Sequence, residues 1–250
     1  MPVNQHAATA VDGWIARLGR ILLPPRCLAC GEAGADGRDL CAACQRALPW
    51  NAASCARCGL PMAEAVDACG RCLRTPPPLD RVHAAFDYRF PVDRLIPRFK
   101  FHHDLAAGRE LALAMRTSLA GRALASGSPD AVVPVPLHAH RLRERGYNQA
   151  LELARPLAAA FGLPLLADGL RRTRETAPQS GLSALARRRN PRGAFAAGPA
   201  ALPAHVVLVD DVMTTGATLF ACARALRQAG VQRVDAWVAA RVPPQSLRAP

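Results

Sequence analysis

Val206 to Leu219 reads VVLVDDVMTTGATL: four apolar residues, two adjacent acids, then threonines around one glycine. An unbroken apolar run of this length suits a strand buried on both faces, as in a parallel sheet. Ligands of such sheets bind beyond the carboxyl ends of the strands, so Asp210 and Asp211 are expected at the mouth of a crevice. Two ionised carboxylates side by side repel, and the pair makes sense where hydroxyl donors or a divalent cation hold it. A ribose offers two vicinal hydroxyls. Thr214, Thr215, Gly216, Ala217 and Thr218 then form a turn into a helix, whose free amides and dipole favour a phosphate. Gly216 permits close backbone approach. The combination describes a cradle for a ribose 5-phosphate, ahead of two plainer readings, a threonine capping cluster and an acidic pair for a metal alone.

The flanking sequence supplies the other elements of an α/β fold. Val82 to Phe90 alternates like a strand, and Asp104 is placed to cap a helix in which Leu111, Met115 and Leu119 share a face. Ala131 to Val135 is an apolar strand, followed by a helical pattern through Leu151, Ala154 and Leu157 toward Phe161. Pro156 interrupts that pattern and predicts a kink or a break. Leu165 to Leu170 fits another short strand, and the stretch from Arg171 to Phe195 has no regular period and reads as a mobile loop. Val206 to Val209, a helix over Thr218 to Ala229 closed by Gly230, and a strand over Val234 to Ala240 complete the alternation. Strand alternating with helix implies a parallel sheet with right-handed crossovers.

Ahead of this lies a cysteine repeat. Eight of the nine cysteines form four CxxC pairs, Cys27/Cys30, Cys41/Cys44, Cys55/Cys58 and Cys69/Cys72, with ten residues between successive pairs. Two CxxC turns close a tetrahedral sulfur shell, and sulfur-only shells of this kind take zinc. Two structural ions are expected; the short loops favour sequential pairing, Cys27, Cys30, Cys41 and Cys44 on one ion and Cys55, Cys58, Cys69 and Cys72 on the other, with interleaved pairing of alternate knuckles as the alternative. The absence of a compact signal-peptide core argues against disulfides. Cys222, spaced with Leu219 and Leu226 on one helical face, reads as a buried structural thiol. TPPPL at Thr75 to Leu79 is a stiff break. The expected division is an amphipathic helix within 1–26, a zinc module over 27–74, a hinge over 75–80 and an α/β domain over 81–250.

The 250 residues carry a formal charge of +13, and every basic side chain except Lys100 is arginine. Residues 1–80 hold 8 basic and 7 acidic groups, whereas residues 81–250 hold 24 and 12. That positive field attracts phosphate-rich partners, small or polymeric. Lys100, in RFKFHHD, marks a place where a compact ammonium is required for a phosphate or for the sheet mouth, unless its survival is chance. His102 and His103 read as surface residues. No apolar run approaches the length of a membrane helix. Val11, Trp14, Ile15, Leu18 and Leu22 share a helical face, to be covered by the protein's own body, by a partner or by a membrane surface.

The Val206 to Leu219 stretch resembles the phosphoribosyl pyrophosphate (PRPP) motif of type I phosphoribosyltransferases. That resemblance implies that Asp210 and Asp211 engage the ribose and Thr214 to Thr218 the 5-phosphate. It places a pyrophosphate loop at Val135, Pro136, Leu137 and His138, just after Pro134, and implies Mg²⁺ bound with PRPP. Joined with the CxxC module, PVPL, RERGYNQ and QSGLSALARRRN, the chain resembles the ComF family, phosphoribosyltransferase-like proteins associated with DNA uptake in competence. The match spans about Cys27 to Arg241. It adds a basic loop with Arg141, Arg145, Arg174, Gln179, Arg187 and Asn190, beside Arg143, Arg171, Arg172, Arg188, Arg189 and Arg192. The implied partners are PRPP, single-stranded DNA and competence DNA-translocation proteins, in the cytoplasm or at the inner membrane face. Two activities stand side by side at this level, a phosphoribosyltransferase with an unassigned acceptor and general base, and a non-catalytic module binding PRPP or single-stranded DNA.

Overall fold

The computed structural model describes residues 25–120, 127–173 and 193–243. The apolar face of the N-terminal helix therefore lies outside the described residues, as do Arg174, Gln179, Arg187, Arg188, Arg189, Asn190 and Arg192. No described helix is long and apolar enough to cross a membrane. Two compact units divide between Ala47 and Leu48.

In the first unit the Cys27 amide donates to Glu32 O at 2.7 Å and the Gly31 amide returns to Cys27 O at 2.8 Å, closing the knuckle. Gly31 sits at φ +84°, a left-handed conformation that glycine takes without a side-chain clash. Helix α1 (Ala42–Arg46) starts at Cys41, whose Sγ accepts from the Cys44 amide at 3.4 Å.

The second unit repeats the knuckle and continues into the sheet. The Cys55 amide donates to Leu60 O and the Gly59 amide to Cys55 O, and α2 (Gly70–Arg74) carries Cys72. Strands β1 (Val82–Asp87) and β2 (Ala131–Pro134), the short β3 (Leu170–Arg172) and β4 (Phe195–Ala197), then β5 (His205–Met213) and β6 (Arg233–Arg241) follow. Four of them form one sheet in the order β1-β6-β5-β2, with every pair parallel. β5 and β6 lie at its centre, and apart from Asp210, Asp211 and Asp235 their interior residues are apolar because both faces are covered. Helices α3 (Val92–Phe101), α4 (Leu105–Ala120), α5 (Ala139–Arg145), α6 (Gln149–Phe161) and α7 (Ala217–Gln228) complete the α/β alternation. α4 and α6 pack on each other and on the sheet, whereas α7 meets β5, β6 and the β3–β4 pair.

Several expectations hold at residue level. Asp104 caps α4, its Oδ1 accepting from the amides of Ala106 and Ala107, and Leu111, Met115 and Leu119 are buried. Gly108 lets α3 approach closely, since a Cβ there would stand 2.4 Å from the Phe99 ring. Cys222 is fully buried.

Others are corrected. The strand expected over Leu165 to Leu170 splits, with Leu165 making one parallel bridge to Val132 and Leu170 opening the antiparallel β3–β4 pair. Arg171, Arg172 and Phe195, assigned to a loop, lie in that pair. Of the face predicted for α6, Ala154 and Leu157 are buried, whereas Leu151 is only half-buried and Leu153 joins the core instead. Pro156 does not break α6, which runs on to Phe161. β5 runs on to Met213, so Asp210 and Asp211 lie within it rather than after it. Its pairing with β2 does end at Val209, while that with β6 continues. The acids therefore occupy the point where one neighbouring strand leaves.

The second cysteine tetrad shares its core with the sheet. Cys55, Cys58, Cys69 and Cys72 belong to one buried cluster with Val82, Ala84, Leu208, Ala236 and Cys222. Asn51 ties the knuckle to β1, its Nδ2 donating to Gly59 O at 2.9 Å and its amide to Ala85 O at 3.0 Å. In the proline-rich segment Leu79 is fully buried, and Arg227 donates to Pro78 O and to Asp80 Oδ2. Asp80 Oδ2 also accepts from the Val234 amide at 2.8 Å, fixing the start of β6.

Candidate functional site

The carboxyl end of the sheet opens into a cleft of about 260 Å³. β5 supplies Asp210, Asp211 and Val212, and the turn and helix after it supply Thr214 and Thr218. The segment after β2 contributes Val135, Pro136 and Leu137, α5 contributes Arg141 and Arg145, the start of α6 contributes Asn148, Gln149 and Ala150, and Lys100 and Arg172 reach in from α3 and β3.

The pleat of β5 sends successive side chains to opposite faces. Asp211 is buried and its Oδ1 meets Lys100 Nζ at 2.8 Å. Asp210 is half-buried, lies on the side where Cys222 of α7 feels its charge, and its Oδ1 accepts from the Asp211 amide at 2.9 Å. Burial first, and then the neighbouring Asp211 charge, push the Asp210 carboxyl up to about 7, against the opposing pull of Lys100, the Asp211 amide and Arg172. The acids thus divide their labour, one ionically paired and one poised near neutrality.

Beyond the acids, a small hollow of about 30 Å³ is bounded by Asp210, Thr214, Gly216, Ala217 and Thr218. Gly216 is the N-cap of α7, at φ +81°, and has no side chain with which to cap it. A Cβ at Gly216 would stand 2.6 Å from Met213 Cε and 2.7 Å from Phe220 Cζ, so only glycine fits. Thr215 faces neither hollow, and its Oγ1 accepts from the Ala217 amide at 3.3 Å.

The opposite wall is held by Asn148. Its Oδ1 caps α6 by accepting from the Ala150 amide at 3.1 Å, and its Nδ2 donates to Val135 O at 3.1 Å. The Val135 amide donates to Val209 O at 3.0 Å, which ties this segment to β5 just before the acids. Gln149 is buried, accepts from Arg145 Nη1 at 3.3 Å, and among the described residues its Nε2 has no partner. Arg145 stacks over Phe101 at 5.2 Å; burial, followed by repulsion from Arg141, lowers its proton affinity. His138 does not line the cleft; it caps α5, accepting at Nδ1 from the His140 amide. His102 and His103 are exposed, as expected.

Lys100 thus lies at the sheet mouth, the place its isolation in an arginine-rich chain suggested. The sequence reading gave no site role to Asn148 and Gln149. Their one signal was the asparagine opening a helical pattern, an N-cap signature whose second hydrogen bond, to Val135, is non-local.

The cysteines form two clusters, Cys27, Cys30, Cys41 and Cys44 in one and Cys55, Cys58, Cys69 and Cys72 in the other. Within each, the four sulfurs lie within 4.8 Å of one another, which settles the pairing as sequential and fits a structural zinc ion in each. The thiols titrate unequally. Burial opposes ionisation of Cys27, but backbone donors at Cys41, Cys30 and Ala29 outweigh it and bring the thiol down to about 6. At Cys69 burial is likewise outweighed by donors at Cys72 and Cys55, giving about 7. Burial and neighbouring cysteines push Cys44 and Cys72 strongly up. Four like charges cannot coexist there without a cation.

Known proteins match both units. Residues 18–73 match the family model of the double zinc ribbon domain, and residues 147–248 that of the phosphoribosyl transferase domain. The chain is 37% identical over 224 residues to competence protein F of Haemophilus influenzae, covering 86% of this chain and 96% of that one. It is 35% identical over 224 residues to DNA utilization protein YhgH of Escherichia coli K12, covering 88% and 99%. The protein of that name from Salmonella typhimurium is 37% identical over 204 residues, covering 81% and 90%. Two sequential cysteine tetrads, a parallel sheet with paired acids at its mouth, and this likeness over most of the chain place the protein in the ComF family.

Proposed function

We propose that the cleft binds PRPP with Mg²⁺ and that the protein serves DNA handling in natural transformation, a reading supported by relatives named for competence and for DNA utilization. The observation that supports this reading is the opening of Asp210, Asp211 and the start of α7 onto two hollows that share Asp210, Thr214 and Thr218 in their walls. In it, Asp210 and Asp211 take the ribose hydroxyls, and the Thr214 to Thr218 turn takes the 5-phosphate. Val135 to Leu137 with Arg141 and Arg145 faces the pyrophosphate, where guanidinium forks suit phosphate oxygens. His138 supports that loop from its capping position. Arg174, Gln179, Arg187 and Asn190 belong to the same proposal through the family pattern.

Mg²⁺ enters with the pyrophosphate in this reading. Asp211 is already paired with Lys100, and among the described residues the only metal-grade clusters are the cysteine tetrads. Magnesium is commonly held by one or two carboxylates plus substrate phosphates. The tetrads supply folding energy, since four thiolates leave no open position for water.

The excess of arginine over acids in residues 81–250 suits single-stranded DNA as a second partner, in the cytoplasm or against the inner membrane face. The proposed functional division assigns zinc to residues 27–74 and PRPP to residues 81–250, with the second tetrad packed into the core of the sheet. The test is pyrophosphate release from PRPP with Mg²⁺ across a panel of bases and amines, run beside equilibrium binding. Acceptor-dependent release identifies a transferase. Saturable binding without release identifies a PRPP-binding module. Absence of binding at millimolar PRPP overturns the proposal.

A further inference from the structure

Arg241, the last residue of β6, is completely buried. Its Nε donates to Cys58 O at 2.9 Å, and its Nη1 to Met213 O at 3.0 Å, Thr214 O at 2.5 Å and Val242 O at 2.5 Å. One guanidinium therefore touches a zinc knuckle and the turn after β5 at once. Among the described residues no carboxylate lies within ion-pair distance of it. What it does lie against is the Cys55, Cys58, Cys69 and Cys72 tetrad, through the Cys58 carbonyl. A buried guanidinium needs an anion nearby. A tetrathiolate zinc carries a net charge of about −2 and is such an anion.

The contacts to Met213 and Thr214 fix more than two carbonyls. In a trans peptide the carbonyl and the following amide point opposite ways. With Met213 O and Thr214 O turned to Arg241, the amides of Thr214 and Thr215 are turned away from it. Among the described residues neither amide donates to another backbone group. Thr214 itself lines both hollows of the site.

We propose that Arg241 is a positioning residue that couples zinc in the Cys55, Cys58, Cys69 and Cys72 site to the shape of the Met213 to Thr218 turn. Zinc stabilises the buried cation, and the cation holds the two carbonyls back so that the turn presents amides to an anion. The functional part rests on the reading of this turn as a phosphate seat. The structural part does not.

The test is hydrogen exchange on the full-length, zinc-loaded protein, with zinc content measured on the same samples. Arg241→Lys keeps the charge and loses the fork. It is expected to retain both ions while exchange over residues 213–218 speeds at least tenfold and PRPP binding weakens by a similar factor. In the wild type, stripping the second tetrad with a chelator is expected to speed exchange over 213–218 ahead of Val206 to Val209. Unchanged exchange over 213–218 in Arg241→Lys, or after the ion is removed, overturns the coupling. So does a loss of protection that spreads equally through Val206 to Val209. If the coupling is seen and wild-type protein binds no PRPP, the relay stands and the PRPP reading fails.

Discussion

Lys100 Nζ lies 2.8 Å from Asp211 Oδ1, an ion pair between the end of α3 and the centre of the sheet mouth. Both partners are largely shielded, with side chains 21% and 7% exposed. Replacing Lys100 by Met removes the cation and leaves a buried carboxylate uncompensated. The expected loss is about 2 kcal/mol, the range for a charged hydrogen bond, read from the shift of the urea midpoint at constant slope. A midpoint unmoved in Lys100→Met would show that the pair contributes nothing to the fold.

Gly216→Ala tests the turn. The left-handed φ and the clashes with Met213 and Phe220 both oppose a side chain there. The expected cost is about 1–3 kcal/mol of stability, with a loss of PRPP affinity that exceeds that of Thr215→Ala, whose side chain faces neither hollow. Thermal melts and titration calorimetry read the two effects separately.

Asp210 gives the protein a pH signature. Its carboxyl holds a proton up to about 7, above the ordinary 3.8. Between those values the native state binds more protons than the unfolded state, so this group's contribution to stability falls as pH rises from about 4 to about 7. Asp210→Asn should flatten that slope in denaturant titrations. An ionised carboxylate accepts from ribose hydroxyls, so PRPP affinity should rise between about pH 6 and about pH 8 in the wild type, and less so in Asp210→Asn.

Zinc uptake should release protons, because Cys44 and Cys72 are held strongly toward the thiol form. Affinity for zinc is then expected to fall as pH drops, with two ions per chain by elemental analysis at saturation. Removing the ion from the second tetrad should lower the melting temperature of the sheet, since those sulfurs share its core. Separate, unaffected melting of the sheet would contradict that shared core.

What could be read from the sequence was what depends on neighbours along the chain. β5, the turn at Gly216, the start of α7 and the four knuckles each carry a local signature. The contacts that connect them do not. Lys100 was conspicuous by composition, but its partner lies across the fold, and Arg241 ends an apolar run with no hint that it reaches back to Cys58. Leu165 to Leu170 had strand composition throughout, yet tertiary pairing divides it between a single bridge and a hairpin. At α6, Ala154 and Leu157 of the predicted face are buried, only Leu151 yields its place to Leu153, and an exposed Pro156 was tolerated inside the helix.

The most direct measurement is a calorimetric titration of PRPP with Mg²⁺ into the wild type and into the Asp210→Asn/Asp211→Asn double variant, both zinc-loaded. The account predicts saturable one-site binding to the wild type and its loss in a variant that keeps both ions and its fold. Equal binding by the two proteins, or none by the wild type at millimolar PRPP, would contradict it.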